Sequence, residues 1–225
     1  MINLYNKTGT EVSSADDSDV CNLGSLNFSR IPDLATLASV VELATIFLLC
    51  GTRGADVPYD KIKGVREKNR RLGLGIMGLH EWLLQRGYKY EVTEELHQWL
   101  SIYKGVSRDA ANSWASHFSV SNPIAVRAIA PNGTIGGVAG TTTGIEPVFG
   151  VAYKRRYLVG NKRKYQYVVE HATQDLINQY GLDPDSIDSA SSLAYNMERR
   201  LKFQADVQDY VDMSISSTIN LPAWG

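Results

Sequence analysis

Segments of helical and strand period alternate along this 225-residue chain, which predicts an α/β protein of layered or barrel type. Three observations carry that expectation. Apolar residues recur with helical spacing in several windows, and short apolar runs ending at glycine or proline separate them. Residues 128–150, AIAPNGTIGGVAGTTTGIEPVFG, then interrupt the pattern with a stretch rich in glycine and threonine. The length gives room for one large domain or two small ones with a sizeable core. An apolar fraction of 44% and a charged fraction of 21% are those of a soluble globular protein, and a net charge of −1 provides no global field for nucleic acid or membranes. The N-terminus, MINLYNKTGTEVSSADDSD, is polar and acidic, unlike a signal peptide. Two cysteines, Cys21 and Cys50, are too few for a disulfide framework or a thiol-rich zinc site, so a cytoplasmic location is expected.

Residues 1–19 read as a polar lead-in, and VCNLGSLNFSRI (20–31) as a strand with a glycine break. Asp33 can cap a helix over 34–50, whose polar stripe (Thr36, Ser39, Glu42, Thr45) is thin enough to predict burial on most sides. Glu42 and the short apolar length argue against a transmembrane span. Leu72, Ile76, Leu79 and Leu83 fit one face of a helix over 70–86, and Leu96, Trp99, Tyr103, Val106, Ala110 and Trp114 one face of a helix over 94–118. A strand leading into a turn follows at 126–150, then a hairpin at 151–169 with Gly160-Asn161 at its tip. Helices at 167–180, closed by Gly181, and at 198–212 precede a last strand over 213–221 that ends at Pro222.

The glycine-rich stretch carries the chemistry. Ala128, Ile129 and Ala130 end at Pro131, after which glycines let the backbone bend so that free N–H groups converge on an anion such as a phosphate. Asn132, Thr134, Thr141, Thr142 and Thr143 add neutral donors. Leu72–Gly78 contains a formal GxGxxG, but the charged residues before it, Arg66–Arg71, do not form the buried strand a dinucleotide fingerprint needs; three glycines that let a helix pack closely are the expectation. The hairpin interleaves Lys154, Arg155, Arg156, Lys162, Arg163 and Lys164 with Tyr153, Tyr157, Tyr165 and Tyr167. Single-stranded nucleic acid, a phosphorylated small molecule or a protein partner could use such a surface, and a solvated hairpin needs no ligand at all. The four histidines are scattered, so no metal ligand is assigned. Cys50 reads as core packing in the apolar helix, whereas Cys21, among Asn22, Gly24, Ser25 and Asn27, reads as an accessible thiol.

Four blocks together resemble the catalytic subunit of ribonucleotide reductases: CNLGSLN at 21–27, NRRLGLGIMGLHEWLL at 69–84, AIAPNGTIGGVAGTTTGIEPVF at 128–149 and ISSTINLP at 215–222. The glycine segments are most similar to adenosylcobalamin-dependent (class II) members, and metal-radical (class I) members share several blocks. The resemblance implies an α/β fold, part of a ten-stranded barrel made of two five-stranded halves, with residues 20–225 forming the C-terminal half-barrel region and its long helices. It implies thiyl-radical chemistry: a radical cysteine removes the 3′ hydrogen of a ribonucleotide, the 2′ hydroxyl leaves as water, and a cysteine pair gives two electrons while closing to a disulfide. Cys21 would be one member of that pair, and Pro131, Asn132, Gly133, Thr134 and Ile135 the turn holding the substrate phosphates. The implied cofactor is adenosylcobalamin, or alternatively a metal-radical partner subunit. The implied partners are a ribonucleotide, a thioredoxin-type reductant and a complementary reductase chain in an oligomer.

The family pattern is not complete here. No Asn-x-Cys-x-Glu finger-loop motif precedes Cys21, residues 1–20 contain no cysteine, and asparagine stands at 132 where the family more often has threonine. The resulting expectation is one piece of a split or truncated reductase that turns over only beside a chain bearing the radical cysteine.

Overall fold

The computed structural model describes residues 4–5, 11–13, 18–57, 59–181 and 183–222. Leu4–Tyr5 (β1) and Glu11–Ser13 (β2) form a short antiparallel pair. The body is built on parallel strands. Asn22–Asn27 (β3) lies parallel to Leu72–Met77 (β4), in register from Asn22 opposite Leu72 to Asn27 opposite Met77. Residues 125–129 continue the sheet beside β4, with Leu72 and Leu74 donating to the carbonyls of Ala125 and Val126 (both 2.9 Å) and Arg127 bridging Leu74 in parallel. Residues 213–216 add the next edge: Met213 donates to the Arg127 carbonyl, Ile129 to that of Ser214 and Ser216 to that of Ile129. Four parallel segments thus lie side by side in chain order. Among the described residues the sheet does not close, and the architecture is part of an α/β barrel.

Helices make the connections that parallel strands require. Leu34–Gly54 (α1) and Asp60–Asn69 (α2) link β3 to β4; Leu79–Gln85 (α3) and Glu94–His117 (α4) lead on to 125–129. Gly133–Ala139 (α5), the hairpin Ala152–Val159 (β5) with Lys162–Val169 (β6), and then His171–Tyr180 (α6), Ala190–Leu193 (α7) and Met197–Gln208 (α8) fill the last connection. The caps follow side-chain chemistry: Asp33 accepts from the Thr36 N–H at 2.7 Å, and Thr93 from the Leu96 N–H at 3.2 Å.

The two faces of the sheet differ in kind. Leu26, Leu72, Leu74, Ile76, Ile129 and Ile215 are buried among Leu37, Val41, Leu48, Trp99, Leu100, Tyr103 and Phe203 from the helices. Arg127 also points to that side. It is 2% exposed and is held by Asp212 at 2.6 Å, by Ser107 Oγ and by the carbonyls of Lys104 and Tyr210. The opposite face carries Cys21, Leu23, Ser25 and Asn27, then Gly73 and Gly75, Ala128 and Ala130, Ser214 and Ser216. Strand alternation makes this division, since residues i, i+2 and i+4 share a side. Helices cover the bulky face, and the face of small and polar residues stays open.

Several sequence expectations change. The helix expected over 70–86 is β4 followed by α3; Leu72–Met77 is buried throughout, so charged residues before it did not prevent a buried strand. Arg70 explains the switch: it ends α2 in the left-handed region at φ 45°, and the chain leaves it extended. The strand expected over 213–221 pairs only through 213–216. Helix α6 begins at His171 rather than 167, because 167–169 belong to the hairpin, and α8 ends at Gln208. Helix α1 is long and apolar enough to cross a membrane, yet its buried side packs in the core. It is not buried on most sides: Leu43 is 66% and Phe47 77% exposed, and Cys50 lies on that outward side rather than in the core. The helix over 34–50, the α4 helix, the Gly160 tip (φ 57°) and the Gly181 stop (φ 62°) lie where expected.

Candidate functional site

The open face gathers the expected residues. Cys21 stands just before β3, and Ser25 lies four residues on along the same side of that strand. Ser25 Oγ donates to Asn132 Oδ1 at 3.1 Å, which fastens the turn after Pro131 to β3. The Asn132 amide also donates to the Ile76 carbonyl at 3.4 Å, and the residue sits at φ 60°, a conformation asparagine accepts more readily than most. Asn132 therefore braces the turn with its side chain. Thr141 and Thr142, expected as neutral donors for an anion, are buried struts. Thr141 Oγ1 donates to Glu81 Oε2 at 2.5 Å and lies 3.2 Å from both Asn27 Oδ1 and Ser29 Oγ. Thr142 accepts from the Gly78 and Glu81 N–H groups through its carbonyl and hydroxyl, and Thr143 Oγ1 donates to Glu146 Oε2 at 3.3 Å.

What remains available is the turn itself. Residues after Pro131 form α5, whose N-cap Asn132 makes no side-chain cap; the first N–H of the helix with a backbone acceptor is that of Gly136, on the Asn132 carbonyl at 2.7 Å. Among the described residues the N–H groups of Gly133, Thr134 and Ile135 have no acceptor, as a helix start leaves them. All three residues are exposed, and the Thr134 hydroxyl stands beside them. They line a cleft of about 300 Å³ with Leu23, Gly24 and Ser25. A neighbouring hollow of about 290 Å³ is lined by Cys21, Pro131, Ser214 and Ser216, and the two share Leu23 and Ala130. The thiol and the turn thus border one continuous surface.

Glycine makes that surface possible. A Cβ on Gly73 would lie 2.3 Å from Leu23 Cδ2 and 3.1 Å from Cys21 Sγ; one on Gly75 would lie 2.6 Å from the Ala128 carbonyl oxygen and 3.1 Å from Ser25 Oγ. The close packing foreseen for these glycines is real, but it is strand against strand. Burial raises the Cys21 thiol above its ordinary range, the Arg71 guanidinium pulls it back and Asp19 adds to the rise, so the sulfur is protonated at neutral pH. Arg71 and Asp19 are themselves paired at 2.8 Å.

Beyond the strand ends, Glu81, Thr141, Asn27 and Ser29 form a connected polar cluster, with Arg30 3.6 Å from Glu81. The sequence stretch Gly78-Leu79-His80-Glu81 offered a signal for it that the helical reading of 70–86 concealed. Glu146 ties the same loop to the segment just after 213–216, accepting from the Thr218 N–H at 2.6 Å. His80 is fully buried, accepts from the Val148 N–H at 2.9 Å, and is pushed down to about 4 by that burial. Among the described residues no group of three or more His, Cys, Asp or Glu could hold a metal ion. The basic hairpin lies in regular antiparallel register, each of its six cations opposite an uncharged residue, and Lys154 sits over Tyr165 at 5.0 Å.

Part of a parallel α/β barrel thus carries a thiol and a helix start without a side-chain cap on its small-residue face. Residues 8–110 and 122–224 match the family model described as "Ribonucleotide reductase, barrel domain", and the chain belongs to that family. It is 28% identical to a vitamin B12-dependent ribonucleoside-diphosphate reductase of Mycobacterium tuberculosis, over 90% of this chain and 35% of the relative. It is 27% identical to an enzyme of the same description from Thermoplasma acidophilum, over 89% of this chain and 32% of the relative. A solved B12-dependent (class II) ribonucleotide reductase shares the fold, with a TM-score of 0.71 at 16% identity over 89% of this chain and 33% of that one. The chain spans about a third of the length of the curated relatives it matches. The nucleic-acid reading of the hairpin gains no support from these comparisons.

Proposed function

We propose that this chain, in residues 20–225, supplies the substrate-phosphate turn and one redox thiol of a ribonucleotide reductase barrel. One observation carries the reading: the free N–H groups of Gly133, Thr134 and Ile135 and the sulfur of Cys21 border adjoining clefts that share Leu23 and Ala130. A nucleotide anchored by its phosphates at the turn would lay its sugar along β3 toward the thiol. The N–H groups and the Thr134 hydroxyl orient the anion, and Asn132 and Ser25 hold the turn in place. The protonated Cys21 thiol is suited to give up a proton and an electron as its sulfur joins a second one. Two thiols so joined release two electrons and two protons, while the 2′ hydroxyl leaves as water. Cys50 is not placed to be that second thiol, because it faces solvent from α1 on the other side of β3.

Relatives named as B12-dependent favour adenosylcobalamin as the radical source, which would generate the thiyl radical that starts the reaction. The clefts at the turn and at Cys21, about 300 and 290 Å³, are too small to enclose a corrin, so these residues alone do not fit that group. The radical cysteine, a thioredoxin-type reductant, a complementary chain in an oligomer and a cytoplasmic setting belong to the same proposal. The substrate is a ribonucleoside diphosphate or triphosphate: the two relatives quoted above are named for a diphosphate, and one from Mycobacterium phage D29 for a triphosphate.

Alkylation of the two cysteines tests the arrangement. A ribonucleoside diphosphate should slow iodoacetamide at Cys21 and leave Cys50 unaffected, and the same nucleoside without phosphate should protect neither cysteine. Equal protection of both cysteines, or none at saturating nucleotide, would refute it.

A further inference from the structure

At the N-terminal end of the parallel strands, away from the turn after Pro131, three arginines meet with Glu67 as the one carboxylate beside them. Arg53 comes from the last turn of α1, Arg66 from α2 and Arg70 from its end, and with Ser119, Ser121 and Glu67 they line a cleft of about 370 Å³. Arg66 is 5% exposed, yet its one hydrogen bond among the described residues runs from Nη1 to the Ala55 carbonyl, and its Nε is buried with no partner. Arg70 is 6% exposed and donates to Ser121 Oγ at 3.2 Å and the Glu67 carbonyl at 3.4 Å, both neutral acceptors. Arg53 is parked over the Phe118 ring at 4.6 Å. None of the three makes an ion pair within 4.0 Å among the described residues.

Buried charges ordinarily have a counter-ion or a full set of hydrogen bonds, and Arg127 on this same chain has both. Glu67 is the cleft's one carboxylate, and it leaves the three guanidinia with a positive excess. Burial lowers Arg70 from its ordinary value, Glu67 opposes that, and the neighbouring Arg66 and Arg53 charges lower it further. The Ser119 hydroxyl, with no partner among the described residues, adds a donor at the rim. Of the three non-glycine residues with positive φ among the described residues, Arg70 and Ser119 line this cleft and Asn132 lies in the turn after Pro131. Guanidinium forks suit a tetrahedral oxyanion because two parallel N–H groups meet two oxygens.

We propose that Arg53, Arg66, Arg70 and Ser119 form a phosphate-binding site separate from the substrate turn. Its ligand is a phosphate dianion, free or carried as a monoester by a small molecule. The site does not depend on the reading of Cys21.

Thermal unfolding of the full chain tests it, with inorganic phosphate or glycerol phosphate added at ionic strength held constant with sodium chloride. Each ligand is compared in the wild type, Arg53→Gln, Arg66→Met and Thr134→Val. A bound anion raises the melting temperature with its concentration. The rise should persist in Thr134→Val and need about tenfold more ligand in Arg53→Gln and Arg66→Met. Arg53 is exposed, so its variant tests the site even if Arg66→Met folds poorly. A response to inorganic phosphate alone identifies the free ion, and a stronger one to glycerol phosphate identifies a monoester. No rise with either ligand at about 10 mM, or equal rises in the arginine variants and the wild type, would overturn the proposal.

Discussion

Gly75→Ala is the sharpest test of the sheet that carries the site. The new methyl carbon would sit 2.6 Å from the Ala128 carbonyl oxygen and 3.3 Å from Ile129 Cα, both backbone atoms of the neighbouring strand. Carbon and oxygen normally approach to about 3.3 Å, so the strands must part by several tenths of an ångström or β4 must roll. Side chains cannot absorb the overlap, because backbone hydrogen bonds between Leu72, Leu74 and 125–128 fix the spacing. Overpacking of this kind costs about 3 kcal/mol, and the stiffer unfolded chain of alanine returns about 0.4–1 kcal/mol. A net loss of about 2 kcal/mol corresponds to a melting temperature lower by about 4–8 °C in a chain of this size.

Gly73→Ala makes the control. Its nearest neighbour is Leu23 Cδ2 at 2.3 Å, the end of a side chain that is 59% exposed and free to rotate. Its stability should stay within about 0.5 kcal/mol of the wild type. Leu23 would nevertheless swing across the boundary between the two clefts, so protection of Cys21 by a nucleotide should weaken. Urea unfolding of both variants decides the matter. Equal losses for the two, or an unperturbed Gly75→Ala, would show that β4 and 125–129 are not packed backbone to backbone as described.

Two further outcomes follow from buried polar groups. His80 stays neutral in the folded chain down to about pH 4 while the unfolded chain takes up a proton near the ordinary 6.5, so stability falls as pH falls through that window. About 2 kcal/mol should be lost between pH 7 and 5, and urea titrations of His80→Asn, which keeps an acceptor for the Val148 N–H, should lack that share of the loss. Asp212→Asn should cost about 3 kcal/mol in the same assay at neutral pH, because it leaves the Arg127 charge buried without its partner. Burial pushes the Asp212 carboxyl up, but the Val126 N–H and the Arg127 and Arg108 guanidinia outweigh it and hold the group below the usual carboxylate range. The carboxylate is therefore ionised at the pH of the comparison.

Long helices and the hairpin were legible because each carries its own local signal: the Asp33 cap, the apolar stripe of α4, and glycines at 160 and 181 in the left-handed region. Strand β4 was not. Leu-Gly-Leu-Gly alternates with period two, but leucines on one side and hydrogen atoms on the other give no polar face for periodicity to detect, and Leu72, Ile76, Leu79 and Leu83 fit a helix equally well. The site was half legible. Glycine and threonine after Pro131 marked the turn, whereas the uses of those groups depend on distant partners: Thr141 on Glu81, Asn132 on Ser25, Thr142 on Gly78. Cys50 misled for a related reason, since an apolar helix reads as buried whichever of its sides faces solvent.

The two faces of the sheet explain why the chemistry gathers where it does. Glycine inside a strand costs about 0.5–1 kcal/mol relative to alanine, and β4 contains two within six residues before the left-handed Gly78. A sheet shaped for stability alone would fill its inner side with branched residues, as its outer side does with Leu72, Leu74, Ile76, Ile129 and Ile215. Gly73 and Gly75 instead bring the backbone of β4 close to Cys21, Leu23 and Ser25, and Ala128 and Ala130 keep the next segment low. The space so cleared lies between a thiol and a row of unpaired N–H groups, and Leu23 and Ile135, each 59% exposed, form its apolar rim. The same residues that weaken the sheet locally shape the cavity, so filling it with Gly73→Ala should disturb ligand contact more than folding.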